Sequence, residues 1–391
     1  MTEVVIVGAG LGGLRVAESL RTNGYQGGIT IVGDEPHLPY NRPPLSKEAL
    51  KGGVDPESLE FRRKSGVDDV RWQLGIAAAS CDLAHRTVTL ADGAVLNFDA
   101  LAIATGIRPR DLSIAGPRSG RFFLRDASDA AALRERLTPG TRLVILGAGF
   151  IGCEVAATAR TLGCEVDIVT MDDVPMFRPL GVELGAAMQR RHEAHGVRFH
   201  TGHTISRFHG DDRVVSAELD DGTQLACDVV LEAVGSVPNT QWLEGNGLDL
   251  SDGVLVDDTM RVMGTDAMVV AVGDIARYAH THFDDIARRI EHWNLPTETG
   301  KRAGATLAAL LANEPVPSTP FKPMPSFWSD QYEHKLQSFG LPGLADEVLV
   351  VAGSPDTECV AEYRRAGKLI GVIGIDATSA LVPYRVALME G

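Results

Sequence analysis

The chain opens on a short β-branched apolar run, Val4 to Val7, that stops at a cluster of glycines. Apolar residues then recur at helical spacing through Ala17 and Leu20. A second apolar run, Ile29 to Val32, ends at Asp34 and Glu35. Strand, glycine turn, helix, strand and acid in that order predict a βαβ unit. The same grammar returns far downstream. Leu143 to Leu146 reads as a strand, Gly147 to Gly152 as the turn, the stretch through about Leu162 as a helix, and Val166 to Val169 as the second strand. The separation is too long for a solenoid repeat, so two domains of similar build are expected. Between them, Arg71 to Val95 alternates in β fashion around Ala91-Asp92-Gly93, and Leu101 to Gly106 is a buried strand that ends in a turn. Val215 to Val230 repeats the meander, Leu231 to Gly235 is again strand then glycine, and Met268 to Gly273 is a further strand closed by Asp274. The prolines at 315, 317, 320, 323 and 325 predict a linker. From about Phe327 a small α+β domain is expected, with strands near Val348 to Ala352 and Leu369 to Ile375. The fold class is α/β: two Rossmann-like dinucleotide-binding domains plus a small C-terminal α+β domain.

Composition narrows the function classes. A chain of 391 residues with 44% hydrophobic residues has material for two or three domains. Many of its 42 glycines sit in turns after apolar runs, where nucleotide-binding loops place them. A net charge of −15 disfavours nonspecific nucleic-acid or anionic-membrane binding. No apolar stretch approaches the roughly 18 residues a membrane span needs. The N-terminus runs straight into a strand pattern with no signal-peptide features. Cys81, Cys153, Cys164, Cys227 and Cys359 form no C-x-x-C pair. That scatter points to reduced thiols in a cytoplasmic protein, and argues against a redox dithiol or a cysteine-ligated metal.

The glycine turns carry the chemistry. In G-x-G-x-x-G the first glycine makes the turn, the second lets backbone approach a pyrophosphate, and the third packs helix on strand. Gly8, Gly10 and Gly13 fit, with Asp34 and Glu35 placed to hold ribose hydroxyls. A position at the start of the chain favours FAD. Gly147, Gly149 and Gly152, with Phe150 and Ile151 between them, repeat the logic for a second dinucleotide. Glu154 either faces a nicotinamide ribose or is simply an acid favoured by the helix dipole. Thr170 stands where an acid is expected after the second strand, and Asp172 is the candidate replacement. No Arg or Lys lies between Thr170 and Phe177 to hold a 2′-phosphate, and Asp172 and Asp173 would repel one. NADH is therefore expected over NADPH.

One segment sharpens the picture. Pro39-Tyr40-Asn41-Arg42-Pro43-Pro44-Leu45-Ser46-Lys47 resembles a motif of the FAD-dependent ferredoxin reductases that serve Rieske-type dioxygenases and bacterial cytochrome P450 systems. Ala104 to Arg110, Val272-Gly273-Asp274, Glu291-His292-Trp293 and Phe327 to Tyr332 extend the resemblance over nearly the whole chain. It implies an FAD domain at 1–110 and 241–318, a NAD domain at 111–240 and a C-terminal domain at 319–391. It also implies Lys47 near flavin N5, Arg42 on the diphosphate, and Ala78 touching adenine through its backbone. Ala104, Thr105 and Gly106 close over FAD, Arg125 reaches its phosphates or adenosine, and Asp274 holds the ribitol chain. The Trp293 backbone donates toward the flavin pyrimidine. Gly149 to Gly152, Glu154, Ala233, Val234 and Gly235 line the NADH site, and Lys47 and Glu154 are the catalytic candidates. Each residue has a plainer alternative: Lys47 as a solvated lysine, Asp274 as a cap, and Trp293 and Trp328 as core aromatics. Thr170 and Val174 depart from the usual acid and basic residue.

The implied activity takes a hydride from NADH and passes electrons singly to a small [2Fe-2S] or Rieske-type ferredoxin. The nicotinamide would lie about 3–3.5 Å from flavin N5, as near-attack geometry requires. A monomer or weak dimer is expected, with no nucleic-acid or membrane partner. Docking an acidic ferredoxin calls for a basic patch. Arg288, Arg289, Lys301, Arg302, Lys322 and Lys335 are candidates, or an ordinary solvated face. Two other readings stand beside this one: an NADH oxidase or rubredoxin reductase, and a redox-signalling protein that changes oligomeric state with NADH.

Overall fold

A computed structural model describes residues 2–64 and 66–390. Met1 and Gly391, which bound the expected domains, lie outside the described residues, as does Ser65. The chain divides into two compact units. The first comprises Met1–Asn41, Pro56–Arg108 and Val237–Pro325, and the second Arg42–Asp55, Pro109–Ser236 and Ser326–Gly391.

The first unit is built on a five-stranded parallel sheet. Its strands lie side by side in the order Val269–Ala271, Ala100–Ile103, Glu3–Val7, Gly28–Gly33 and Arg71–Leu74. Val4 to Val7 are all buried, and they read as an unbroken apolar run because a parallel sheet is covered on both faces. The helix Leu11–Thr22 follows the glycine turn and packs against Leu295–Ala312. Gly300 and Gly304 allow that approach: a Cβ on either would lie 2.7 Å from Arg15 Cβ or 2.4 Å from Ser19 Cβ. The expected meander is present as Ala78–Asp82, Thr87–Leu90 and Val95–Asn97. Residues 314–325, with their prolines, carry neither helix nor strand.

The second unit repeats the plan. Its parallel sheet runs Val197–Thr201, Glu165–Thr170, Arg142–Leu146, Val229–Glu232 and Arg121–Phe122, with the helix Phe150–Thr161 after the second glycine turn. The same unit holds a five-stranded antiparallel sheet, Ser326–Gln331, His334–Gly340, Lys368–Ile375, Cys359–Arg365 and Glu347–Gly353 in spatial order. Only the last-named strand and Lys368–Ile375 were expected from apolar runs. Ser326–Gln331 and His334–Gly340 mix polar residues into the buried face (Ser329, Gln331 and Ser338 are at most 1% exposed), which hides them from a hydrophobicity pattern, while in Cys359–Arg365 the apolar run is short and gives way to Glu362, Arg364 and Arg365. All five cysteines are buried and free. Among the described residues no helix is long and apolar enough to cross a membrane.

Candidate functional site

The two glycine turns have the same geometry, and it separates three roles. Gly8 (φ 121°) and Gly147 (φ 106°) are in the left-handed region, and a Cβ there would lie 2.1 Å from Ala104 O and 2.3 Å from Ala233 O. Gly13 and Gly152 pack helix onto turn, since a Cβ would lie 2.1 Å from Gly8 O and 2.2 Å from Gly147 O. Gly10 and Gly149 are different. Their backbones are extended (φ −93°, ψ −167° and φ −76°, ψ −173°), which any residue adopts, and a Cβ on either meets no atom within 4 Å. Neither conformation nor packing within the protein requires glycine at these two positions, and both leave the turn open to the close approach of a ligand. Each glycine is also the N-cap of its helix and offers no capping side chain, so first-turn N–H groups remain available to an anion. The residues present thus fit a dinucleotide pyrophosphate at each turn.

In the first unit the candidates gather at the carboxyl ends of neighbouring parallel strands, the standard ligand edge of such a sheet. Gly8 follows Glu3–Val7, Asp34 and Glu35 follow Gly28–Gly33, Ala104 to Gly106 follow Ala100–Ile103, and Asp274 lies just past Val269–Ala271. Thr105 Oγ1 donates to Asn239 O at 2.9 Å and Asn239 Nδ2 returns a bond to Thr105 O at 2.8 Å, fixing the turn that Gly106 makes with φ 61°. The Glu35 carboxylate accepts from Tyr40 Oη. Asp274 sits in a 3₁₀ turn, Gly273–Ile275, whose first N–H donates to Thr299 Oγ1 at 3.0 Å. Trp293 is 40% exposed, directly before the Leu295–Ala312 helix, and its indole N–H donates to Asn41 Oδ1 at 3.0 Å. That exposure sets aside the core-aromatic alternative. Ala78 opens the meander.

In the second unit Gly147, Asp172 and Ala233 to Gly235 also follow neighbouring strands. Thr170 is buried at the end of its strand, where its Oγ1 accepts from Asp172 N at 3.3 Å; Asp172 and Asp173 are exposed beyond it. Phe150 packs on Phe327 with ring centroids 4.9 Å apart, while Ile151 is exposed. Arg42 Nη1 donates to Arg125 O at 2.9 Å, so these two residues are neighbours.

Glu154 is the fifth residue of the helix Phe150–Thr161, past the first turn where a dipole-favoured acid would stand, and it is buried, 6% exposed. Lys47 Nζ lies 2.7 Å from Oε2, Ser46 Oγ donates to Oε2 at 2.5 Å, and Ser329 Oγ donates to Oε1 at 2.6 Å. Lys47 is therefore not a solvated lysine: its side chain is 14% exposed and ion-paired. Ser46, Ser329 and Asn239 are site residues that sequence reasoning passed over. The first two stand inside the quoted motifs, but nothing in the sequence says that both hydroxyls converge on one carboxylate. The basic candidates fare less well as a patch. Arg288 is paired with Asp284, Arg289 with Asp252 and Glu291, and Lys301 with Glu298.

Burial pushes the pKa of His192 and of His292 down to about 4. Unfolding lets both take protons at an ordinary pKa near 6.5. Stability from this source is complete above about pH 6.5 and is lost as pH falls toward 4, because the unfolded state then binds more protons. The expected melting temperature is flat from pH 7 to 8 and declines from pH 6.5 to 4.5. A melting curve without that decline contradicts the assignment.

Known proteins share the sequence pattern and the fold of this chain. The family model described as pyridine nucleotide-disulphide oxidoreductase matches residues 2–300, and that described as reductase C-terminal matches 326–391. The chain is 35% identical to rhodocoxin reductase of Rhodococcus erythropolis over 95% of its length and 86% of the relative. It is 36% identical to the ferredoxin–NAD(+) reductase component of the biphenyl dioxygenase system of Paraburkholderia xenovorans (strain LB400), over 86% of this chain and 80% of the relative. The reductase in the crystal structure of a covalent putidaredoxin reductase–putidaredoxin complex superposes with a TM-score of 0.91 at 30% identity, covering 100% of this chain and 93% of that one.

Proposed function

Since the chain belongs to the pyridine nucleotide-disulphide oxidoreductase family, we propose a division of labour among its residues in which the first glycine turn holds FAD and the second holds NADH. The protein is an FAD-dependent ferredoxin–NAD(+) reductase, and its partner is a small [2Fe-2S] ferredoxin of the kind that feeds an oxygenase or a cytochrome P450. Bound FAD supplies the conversion between a two-electron hydride and single electrons.

The chain's own residues bind, orient and charge the site. Gly10 and Gly149 admit the two pyrophosphates, and the helix N-termini behind them supply N–H donors. Asp34 or Glu35 holds a ribose of FAD, Ala78, Ala104, Thr105, Gly106, Asp274 and Trp293 line the rest of its site, and Arg42 and Arg125 serve its phosphates. Phe150, Ile151, Ala233, Val234 and Gly235 line the NADH site. Lys47 brings a positive charge, and Glu154 sets where that charge points. The FAD domain is 1–110 with 241–318, the NAD domain 111–240 and the C-terminal domain 319–391. A cytoplasmic setting belongs to the same reading, supported by five buried free cysteines.

The observation that carries the reading is the pair of unexplained glycines, 10 and 149, one in each turn. Coenzyme choice is its finest part and rests on Asp172 and Asp173. With a dye acceptor, kcat/KM for NADH is expected to exceed that for NADPH. Replacing both acids by Ser should raise kcat/KM for NADPH about tenfold, by removing repulsion of a 2′-phosphate. No change in the NADPH value would remove Asp172 and Asp173 from the specificity account.

A further inference from the structure

Beyond Lys47 and Glu154, a line of polar side chains continues through the buried interior of the second unit. Ser329 Oγ lies 2.6 Å from Glu154 Oε1, and Gln331 Nε2 lies 3.0 Å from Ser329 Oγ. Gln331 Oε1 lies 2.7 Å from His192 Nε2, and Tyr332 Oη lies 3.3 Å from His192 Nδ1. Ser329, Gln331 and His192 are at most 1% exposed. The Tyr332 ring stacks on His195 at 3.7 Å and 10°. Tyr332 also sits at the head of the two-residue hairpin between Gln331 and His334 with φ 57°, a conformation that favours glycine or asparagine. The turn keeps a tyrosine there at a cost in backbone strain, and the tyrosine caps the line.

Counting hydrogens gives this line a direction. A serine hydroxyl has one hydrogen, and the carboxylate of Glu154 can only accept it. Ser329 must then accept from Gln331, which turns the amide nitrogen toward Ser329, with Met176 Sδ 3.5 Å from the same nitrogen. Gln331 Oε1 therefore faces His192 and needs a donor. Burial pushes the His192 pKa to about 4, so the ring is neutral at pH 7 and carries a single N–H. That hydrogen must be on Nε2. Nδ1 is left to accept from Tyr332, whose hydroxyl keeps its proton because burial raises its pKa. Every bond donates toward Glu154.

We propose that Tyr332, His192, Gln331 and Ser329 form a one-way chain of hydrogen-bond donation that ends on Glu154 and holds its carboxylate against Lys47, making His192 and Gln331 positioning residues for hydride transfer. The proposal rests on the reading of Lys47 and Glu154 as residues of the hydride site. Its consequence is action at a distance. In Glu154→Gln the amide oxygen faces the Lys47 ammonium and the new NH₂ faces Ser329. Ser329 must then donate to Gln331, the Gln331 amide turns over, and His192 moves its hydrogen to Nδ1 to donate to Tyr332.

Nitrogen-15 histidine NMR on the FAD-loaded protein at pH 7 tests this, with the His192 signal assigned through a His192→Asn variant. The expected result is the Nε2–H tautomer in the wild type and the Nδ1–H tautomer in Glu154→Gln. Gln331→Leu should slow single-turnover flavin reduction by NADH about fivefold, the worth of one positioning hydrogen bond. A wild-type His192 found as Nδ1–H or as imidazolium overturns the chain without any variant, as does a tautomer that Glu154→Gln leaves unchanged. If the tautomer switches but both variants reduce flavin at the wild-type rate, the reading of Glu154 as a hydride-site residue falls, and the link from His192 to the reaction falls with it.

Discussion

Gly149→Ala is expected to leave the protein folded, loaded with FAD and unchanged in melting temperature, while weakening use of NADH about 100-fold in kcat/KM, as a displacement of about 1 Å in a bound reactant does. The reason lies in the contrast among three glycines of one turn. The added methyl meets no protein atom within 4 Å, and the backbone at 149 is extended, so folding has no use for glycine there. Gly152→Ala should fail in the opposite way. Its Cβ would lie 2.2 Å from Gly147 O, so overpacking should lower stability by about 1–3 kcal/mol before any coenzyme is added. Steady-state kinetics and thermal melts on the two variants separate the roles. A Gly149→Ala protein that melts early, or that uses NADH normally, removes the pyrophosphate from the second turn.

Lys47→Met is expected to carry the other large effect. The substitution keeps most of the length and the apolar character of the stem but strands the Glu154 carboxylate with Ser46 and Ser329 as its remaining donors among the described residues. Leaving a buried charge without its partner costs about 3 kcal/mol, reduced somewhat here because Lys47 keeps 14% of its side chain exposed. Flavin reduction by NADH should slow about 100-fold through loss of an oriented positive charge. Lys47→Met combined with Glu154→Gln should recover most of the stability, since the stranded charge is gone, but none of the rate. Recovery of rate in the double variant would show that Lys47 acts on the fold alone.

Sequence legibility followed the kind of constraint involved. Both glycine turns were readable because a backbone that must turn, approach and pack leaves little choice but glycine at three spacings. The two βαβ units were readable because buried parallel strands leave unbroken apolar runs. The strand Ser326–Gln331 was not, because Ser329 and Gln331 face inward to make hydrogen bonds and break the alternation that marks a strand. Glu154 shows the same limit. Its place near the start of a helix was legible, though one turn too early, but its burial depends on Ser46 and Lys47 from a distant segment and Ser329 from another. Long-range side-chain convergence leaves no periodic trace. Thr170 was legible only as a departure, and its role as acceptor for the Asp172 N–H is a local turn contact that the residue type permits but does not announce.

The central claim is that electrons enter from NADH as a pair and leave singly to a [2Fe-2S] protein. The most direct measurement is anaerobic stopped-flow mixing of NADH-reduced protein with purified [2Fe-2S] ferredoxins, following both chromophores. The account expects flavin reoxidation matched by two reduced ferredoxins per NADH with at least one of them. Flavin that stays reduced in the presence of every [2Fe-2S] protein, yet is reoxidised rapidly by oxygen, would contradict it.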